Sequence, residues 1–171
     1  ATHGDGEAMT SASDLEFVAF VQDASPRLLR TAWFVCGDPV QAEDLVQAAL
    51  EKVYLRWRRI DRGAATAYAR KILFNQRIDA RRRRSREVLT DQMPERAGPA
   101  STFEDTGYLV RALAELAPRG RQVVILRYYC DASEQEVAAT LGIGVGTVKS
   151  SASRGLAKLR EALIAQGEHH D

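Results

Sequence analysis

Thr147, Lys149, Ser150, Ser151, Ser153, Arg154 and Lys158 fall within twelve residues of one another. Small hydroxyls let an element approach a surface closely, while Arg and Lys reach base edges and phosphates. That chemistry reads a DNA groove and makes or breaks no bond. Nothing else in the chain suggests an active site. His3, His169 and His170 all lie in the terminal tails, and Cys36 and Cys130 are far apart and fit no metal-ligand spacing. With no phosphate loop and no nucleophile–base pairing, the expectation is a non-enzyme without cofactor or metal. Both cysteines sit among apolar helical residues, as buried thiols in a reducing cytoplasm would.

A helical hairpin has to position those residues. Ser133 can cap a first helix with Glu136 three residues on to complete a capping box, Val137, Ala138 and Leu141 give it an apolar stripe, and Gly142 suits a left-handed C-terminal position. A second helix restarts near Gly144 to Gly146. In it Val148, Ala152, Leu156, Leu159 and Leu163 share one face, which leaves Thr147, Ser150, Ser151, Arg154 and Lys158 on the other. The tight turn favours a helix-turn-helix over an ordinary hairpin with a solvated face.

A net charge of +1 conceals a second signal. Residues 1–51 carry nine acidic side chains against Arg27 and Arg30, whereas residues 56–86 carry twelve basic ones against Asp61 and Asp79. The acidic part centres on a helix, VQAEDLVQAALEKVYLRWRR, with Val46, Ala49 or Leu50, Val53 and Trp57 as core stripe and Glu43, Asp44, Gln47 and Glu51 on another face. Taken alone, such a face is simply solvated. After the loop Ile60 to Gly63, a helix from about Ala64 to Arg84 carries Arg70, Lys71, Arg77 and Arg81 to Arg84, with Tyr68, Ile72 and Leu73 as core. So dense a positive surface suits nucleic-acid phosphate. Asn75 is a weak helix former there, which points to a contact. Trp57, Tyr68 and Phe74 are read as core or as platforms for unpaired bases.

Elsewhere the pattern is helical throughout. One helix is expected over Ser13–Asp23, with Leu15, Val18 and Val21 inward, and a second from Pro26 to Cys36 behind a Ser25 cap. Leu109, Leu113 and Leu116 mark a helix ended by Pro118, and RGRQVVILRYYC forms another, with Val123, Val124, Leu126 and Tyr128 apolar. Between them residues 87–105 lose all periodicity and read as a flexible linker. The expected organisation is a tail at 1–12 with Met9 as a natural start, domains at 13–86 and 106–165, and a tail at 166–171. No signal peptide or membrane-spanning run is expected.

Four stretches together resemble the extracytoplasmic-function (ECF) sigma factors of the sigma-70 family over nearly the whole chain. AEDLVQAALEKVYLRW resembles region 2.2 and ILFNQRIDARRRR region 2.4, through Ile72, Asn75, Ile78 and Asp79. LAELAPRGRQVVILRYY resembles region 4.1, and LGIGVGTVKSSASRGLAKLRE region 4.2. LuxR-type regulators share the last motif alone, whereas all four in this order are specific. The SxxSRGLAKLR form is similar to an actinobacterial SigE-like subset. Gly144, Ala117 and Ser151 stand where the family commonly has Pro, Leu and Arg.

The resemblance implies an all-α protein, a region 2 bundle and a region 4 helix-turn-helix, that guides RNA polymerase to promoters in the cytoplasm. It implies that Glu43, Asp44, Gln47 and Glu51 meet the β′ clamp helices of core RNA polymerase, and that region 4 meets the β flap. Asp61, Arg62, Gly63, Arg70, Asn75, Arg77, Arg81, Arg82 and Arg83 would hold the −10 strand. Thr147, Lys149, Ser150, Ser151, Ser153, Arg154 and Lys158 would face the −35 element. An anti-sigma factor is implied as a further partner. A stand-alone dimeric helix-turn-helix regulator is the alternative, and it leaves the acidic and arginine-rich helices without a role.

Overall fold

The computed structural model describes residues 11–86 and 106–168, with side chains excepted over 78–86 and at 168. The tail 1–10, the expected linker 87–105 and residues 169–171 lie outside the described residues. Every described element is helical.

Helix α1 runs Ala12–Cys36 as one rod. Ser11 opens it with a capping box to Asp14, and Gly37, at φ 75°, closes it by donating its N–H to Trp33 O. The expected break at Ser25–Pro26 is therefore absent. A proline inside a helix removes one backbone bond, but Phe17, Phe20, Ala24, Leu28, Thr31 and Val35 form a buried or half-buried stripe that crosses it at steps of three and four. Burial along that stripe outweighs the lost bond. The same stripe overturns two of the three residues expected inward: Leu15 is 60% exposed and Val18 48%, with Phe17 and Phe20 turned inward instead, while Val21 is half-buried.

Asp38 caps α2, Pro39–Leu55, by accepting from Val40 N at 2.9 Å, with Pro39 in the first turn where its missing N–H costs nothing. Ala42, Val46, Ala49 and Val53 bury one face, and Trp57 continues it in the 3-10 turn Trp57–Arg59. A second 3-10 turn, Arg62–Ala64, leads into α3, Ala65–Arg86. There Ala65, Ala69, Leu73 and Phe74 are fully buried. Trp57, at 3% exposure, and Phe74 are thus core and offer no stacking platform, while Tyr68 is half-buried.

The second lobe contains α4 (Gly107–Ala114), α5 (Pro118–Val124), α6 (Glu134–Leu141) and α7 (Val145–Glu168). Helix α5 continues into a π turn, Ile125–Tyr129, in which Cys130 N–H bonds Ile125 O at 3.0 Å. The extra residue shifts the helical phase, so Tyr128, expected on the apolar side, is 54% exposed and Tyr129 turns inward. The capping box at Ser133 and Glu136 and the left-handed Gly142, at φ 67°, form as expected. Helix α7 runs through 168, past the expected end of the domain at 165. It packs on α4, α5 and α6, and a Cβ on Gly155 would lie 2.7 Å from Val124 Cγ2.

The two lobes touch. Tyr129 meets Phe34 edge-on at 5.0 Å, Arg27 donates to Tyr129 O at 3.2 Å, and Thr31 Oγ1 lies 4.0 Å from Cys130 Sγ. Arg121 donates to Leu113, Ala114 and Leu116 carbonyls in its own lobe and to Val35 O, at 3.0 Å, in the other.

Candidate nucleic-acid and protein-docking surfaces

Helix α2 carries two unlike surfaces. From Glu43 to Tyr54 along one face, with α1, it walls an open groove of about 480 Å³ floored by Phe17, Val21, Leu29, Val46, Leu50 and Tyr54. Glu43, Gln47 and Glu51, one helical turn apart in succession, stand exposed on its rim. Asp44 is exposed as well but lies outside the lining. The arrangement suits an apolar side chain carried on a basic partner: the floor takes the first and the carboxylates meet the second.

On the opposite face, at the C-terminal turn of α2 and its cap, Lys52 and Arg56 face α3 across a concavity of about 420 Å³, lined also by Leu55, Tyr68, Ile72, Asn75 and Gln76. Asn75 is exposed, and the Gln76 side-chain oxygen is buried without a partner. Two cations, an amide and an aromatic edge around a base-sized hollow are what an unpaired nucleotide needs. Lys52, Arg56 and Gln76 were not among the residues singled out by sequence. The spacing of four between the two cations at the basic end of an acidic helix was the available signal.

The expected −10 set does not gather in one place. Asn75 lines this hollow, whereas Arg70 and Arg77, seven residues apart, share a different face of α3. Both are half-buried: Arg70 lies near enough to Cys130, and Arg77 to Cys36, to oppose electrostatically the rise that burial imposes on each thiol. Asp61 accepts from Gly63 N at 3.0 Å in an exposed turn. Arg62 is turned back onto Trp57, its guanidinium 4.0 Å over the ring, and onto Glu16, at 3.0 Å. The side chains of Arg81, Arg82 and Arg83 lie outside the described residues.

On α7, Ser150, Ser153 and Arg154 line one solvent-facing ridge at spacings of three and four. Ser150 donates to Thr147 O at 3.1 Å, Lys149 pairs with Glu134 at 3.7 Å, and Lys158 pairs with Glu161 at 3.8 Å. A hollow of about 390 Å³ beside the ridge adds Arg127 and Arg160 to Lys149 and Ser153. Ser151 departs from expectation. It is 7% exposed, on the flank of α7 that packs inward, and cannot present its hydroxyl to a groove. Thr147 is half-buried.

Among the described residues, no group of three His, Cys, Asp or Glu could hold a metal, and no helix is long and apolar enough to cross a membrane.

Known proteins resemble this chain in sequence and fold. The family described as Sigma-70 region 2 matches residues 20–87, and Sigma-70, region 4 matches residues 106–159. The RNA polymerase sigma-E factor of Streptomyces coelicolor is 43% identical over 156 residues, covering 89% of this chain and 88% of that one. The ECF RNA polymerase sigma factor SigL of Mycobacterium tuberculosis is 36% identical over 149 residues, covering 82% and 84%. Among solved structures, the sigma factor RpoE of Bartonella quintana, crystallised with the anti-sigma factor NepR, superposes with a TM-score of 0.69 at 27% identity, covering 86% of this chain and 96% of that one. On these matches the chain belongs to the ECF sigma factors of the sigma-70 family, carrying regions 2 and 4 on its two lobes.

Proposed function

We propose that each sigma-factor task falls to a separate surface of this chain. The acid-rimmed groove, with Glu43, Gln47 and Glu51 on its edge and Asp44 beside it, takes the β′ clamp helices of core RNA polymerase. The hollow at Lys52, Arg56, Asn75 and Gln76, with the Asp61–Gly63 turn and the arginines at 70, 77 and 81–83, holds the −10 strand. The ridge of Ser150, Ser153 and Arg154, flanked by Thr147, Lys149 and Lys158, faces the −35 element, and region 4 meets the β flap. Residues 13–86 and 106–165 act as the two functional units, with 87–105 as their connection. Initiation then needs no catalytic group from this chain, because capture of the open strand drives melting; the protein is not an enzyme and works in the cytoplasm, where polymerase and promoter are. An anti-sigma protein is its natural restraint, by analogy with the neighbour solved in such a complex.

One observation supports this reading: α2 carries an acid-rimmed apolar groove along one face, and paired cations, Lys52 and Arg56, on the opposite face at its C-terminal turn. Replacing Asp44 and Gln47 together by Ala tests it. Affinity for core polymerase, titrated by fluorescence anisotropy, falls about tenfold or more, the loss of roughly 1.4 kcal/mol expected at a central contact. The helical circular dichroism signal stays unchanged. Wild-type affinity in the double variant contradicts the docking site.

A further inference from the structure

Ser13, Asp14 and Glu16, in the first turns of α1, belong to neither proposed interface, yet with Phe17 they hold the segment from Tyr54 to Arg62 at four points. Tyr54 donates its hydroxyl to Asp14 Oδ1 at 3.1 Å, and Trp57 donates its indole N–H to Ser13 O at 3.0 Å. The Phe17 ring lies 5.3 Å edge-on from Trp57. Arg62 donates Nε to Glu16 Oε2 at 3.0 Å. From inside its own turn Arg62 also donates to the carbonyls of Trp57 and Ile60 while its guanidinium lies over the Trp57 ring. Five guanidinium N–H groups in a fixed plane suit this task. An arginine committed to two carbonyls, a carboxylate and an indole face is poorly placed to grip a phosphate.

We infer that Glu16 and Arg62 are positioning residues for −10 recognition, a clasp that fixes where the Asp61–Gly63 turn sits. This rests on the reading that places the turn against the −10 strand. Glu16 carries the wrong charge to touch DNA and lies outside the groove lining. Its role is to orient Arg62, and through it to set the turn. Both side chains are exposed, at 59% and 41%, so the ion pair adds little to stability. Its removal is therefore expected to change recognition without unfolding the chain.

The experiment uses the full chain with core polymerase and two probes. One is a single-stranded non-template oligonucleotide carrying the −10 segment of a promoter that the wild-type holoenzyme uses. The other is the same oligonucleotide with its −10 bases substituted. Glu16→Ala is expected to weaken binding of the first probe about three- to tenfold and to narrow the gap between the two probes, as loss of one oriented charge-assisted contact would. Thermal midpoint, core affinity and binding to a −35 duplex stay at wild-type values. Glu16→Gln, which keeps an oxygen acceptor for Arg62, restores most of the discrimination, whereas Arg62→Lys, which keeps the charge but loses the planar fork, behaves like Glu16→Ala. A Glu16→Ala protein that discriminates as well as wild type overturns the clasp. So does a uniform loss at every probe together with a lowered thermal midpoint, which would mark a merely structural role. If the wild-type holoenzyme itself fails to tell the two probes apart, the −10 reading beneath the clasp falls instead.

Discussion

Ser150 and Ser151 are neighbours with opposite exposure. One stands on the solvent-facing ridge of α7, and the other is 7% exposed beneath it. The sequence reading put both on the face opposite the Val148–Leu163 stripe, but Ser151 borders that stripe, three residues after Val148 and one before Ala152, and the packed face is wide enough to take it in. The caps were far more legible. Ser133, Glu136 and Gly142 carry local, short-range instructions that tertiary packing has no cause to override. Arg62, Arg70 and Arg77 were readable as charge but not as direction: Arg62 is turned by Glu16, distant in sequence, and Arg70 and Arg77 lie half-buried near Cys130 and Cys36. Gly155 offers a test at this scale. An added Cβ would sit 2.7 Å from Val124 Cγ2 and 3.2 Å from Gly120 O. Helix propensity favours Ala by about 1 kcal/mol, while overpacking costs about 1–3 kcal/mol. Gly155→Ala is therefore expected to lower stability by about 1 kcal/mol in urea unfolding, and a stabilised variant would show that α5 and α7 pack less closely than described.

At the scale of elements, the stripes of α2 and of the first turns of α3 were legible because their buried residues keep one period, Ala42 to Trp57 and Ala65 to Leu73. Two elements were not. Pro26 signalled a helix start, but the stripe on either side of it is continuous, and burial of six residues outweighs one missing bond. The π turn after α5 inserts a residue into the helical count, so a stripe extrapolated at 3.6 residues per turn selected Tyr128 where Tyr129 packs. That shifted tyrosine and Arg121 join the lobes. Arg121 satisfies carbonyls at the end of α4 and, at 3.0 Å, Val35 O near the end of α1. Arg121→Ala leaves those helix-end carbonyls short of a charged donor and is expected to cost about 2–4 kcal/mol in chemical unfolding. Arg121→Lys recovers little of it, since one ammonium cannot meet carbonyls spread over two lobes. A midpoint unmoved by either change contradicts this role for Arg121.

For the whole molecule, the packing of lobe on lobe sets a mechanical condition. Promoter elements centred about 25 base pairs apart are separated by roughly 85 Å along B-form DNA. A packed globule of this length is only about 40 Å across. On the proposed assignment of the −10 and −35 elements to separate lobes, the contacts of Tyr129, Arg27 and Arg121 part before both elements are held at once. The chain between 86 and 106 has the length for it, about 65 Å when drawn out. Division into two units was legible from the lapse of periodicity after residue 86; their mutual contact was not, because it depends on the phase of one irregular turn. The proposed division of labour, α2 for the polymerase and the basic surfaces for the promoter, is tested most directly by run-off transcription from the organism's own promoters with core RNA polymerase. The account predicts specific transcripts only when chain and core enzyme are both present, and their loss when either the −10 or the −35 element is substituted. Equal synthesis with and without the chain, or tight operator binding by the chain alone without any effect on core enzyme, would contradict it.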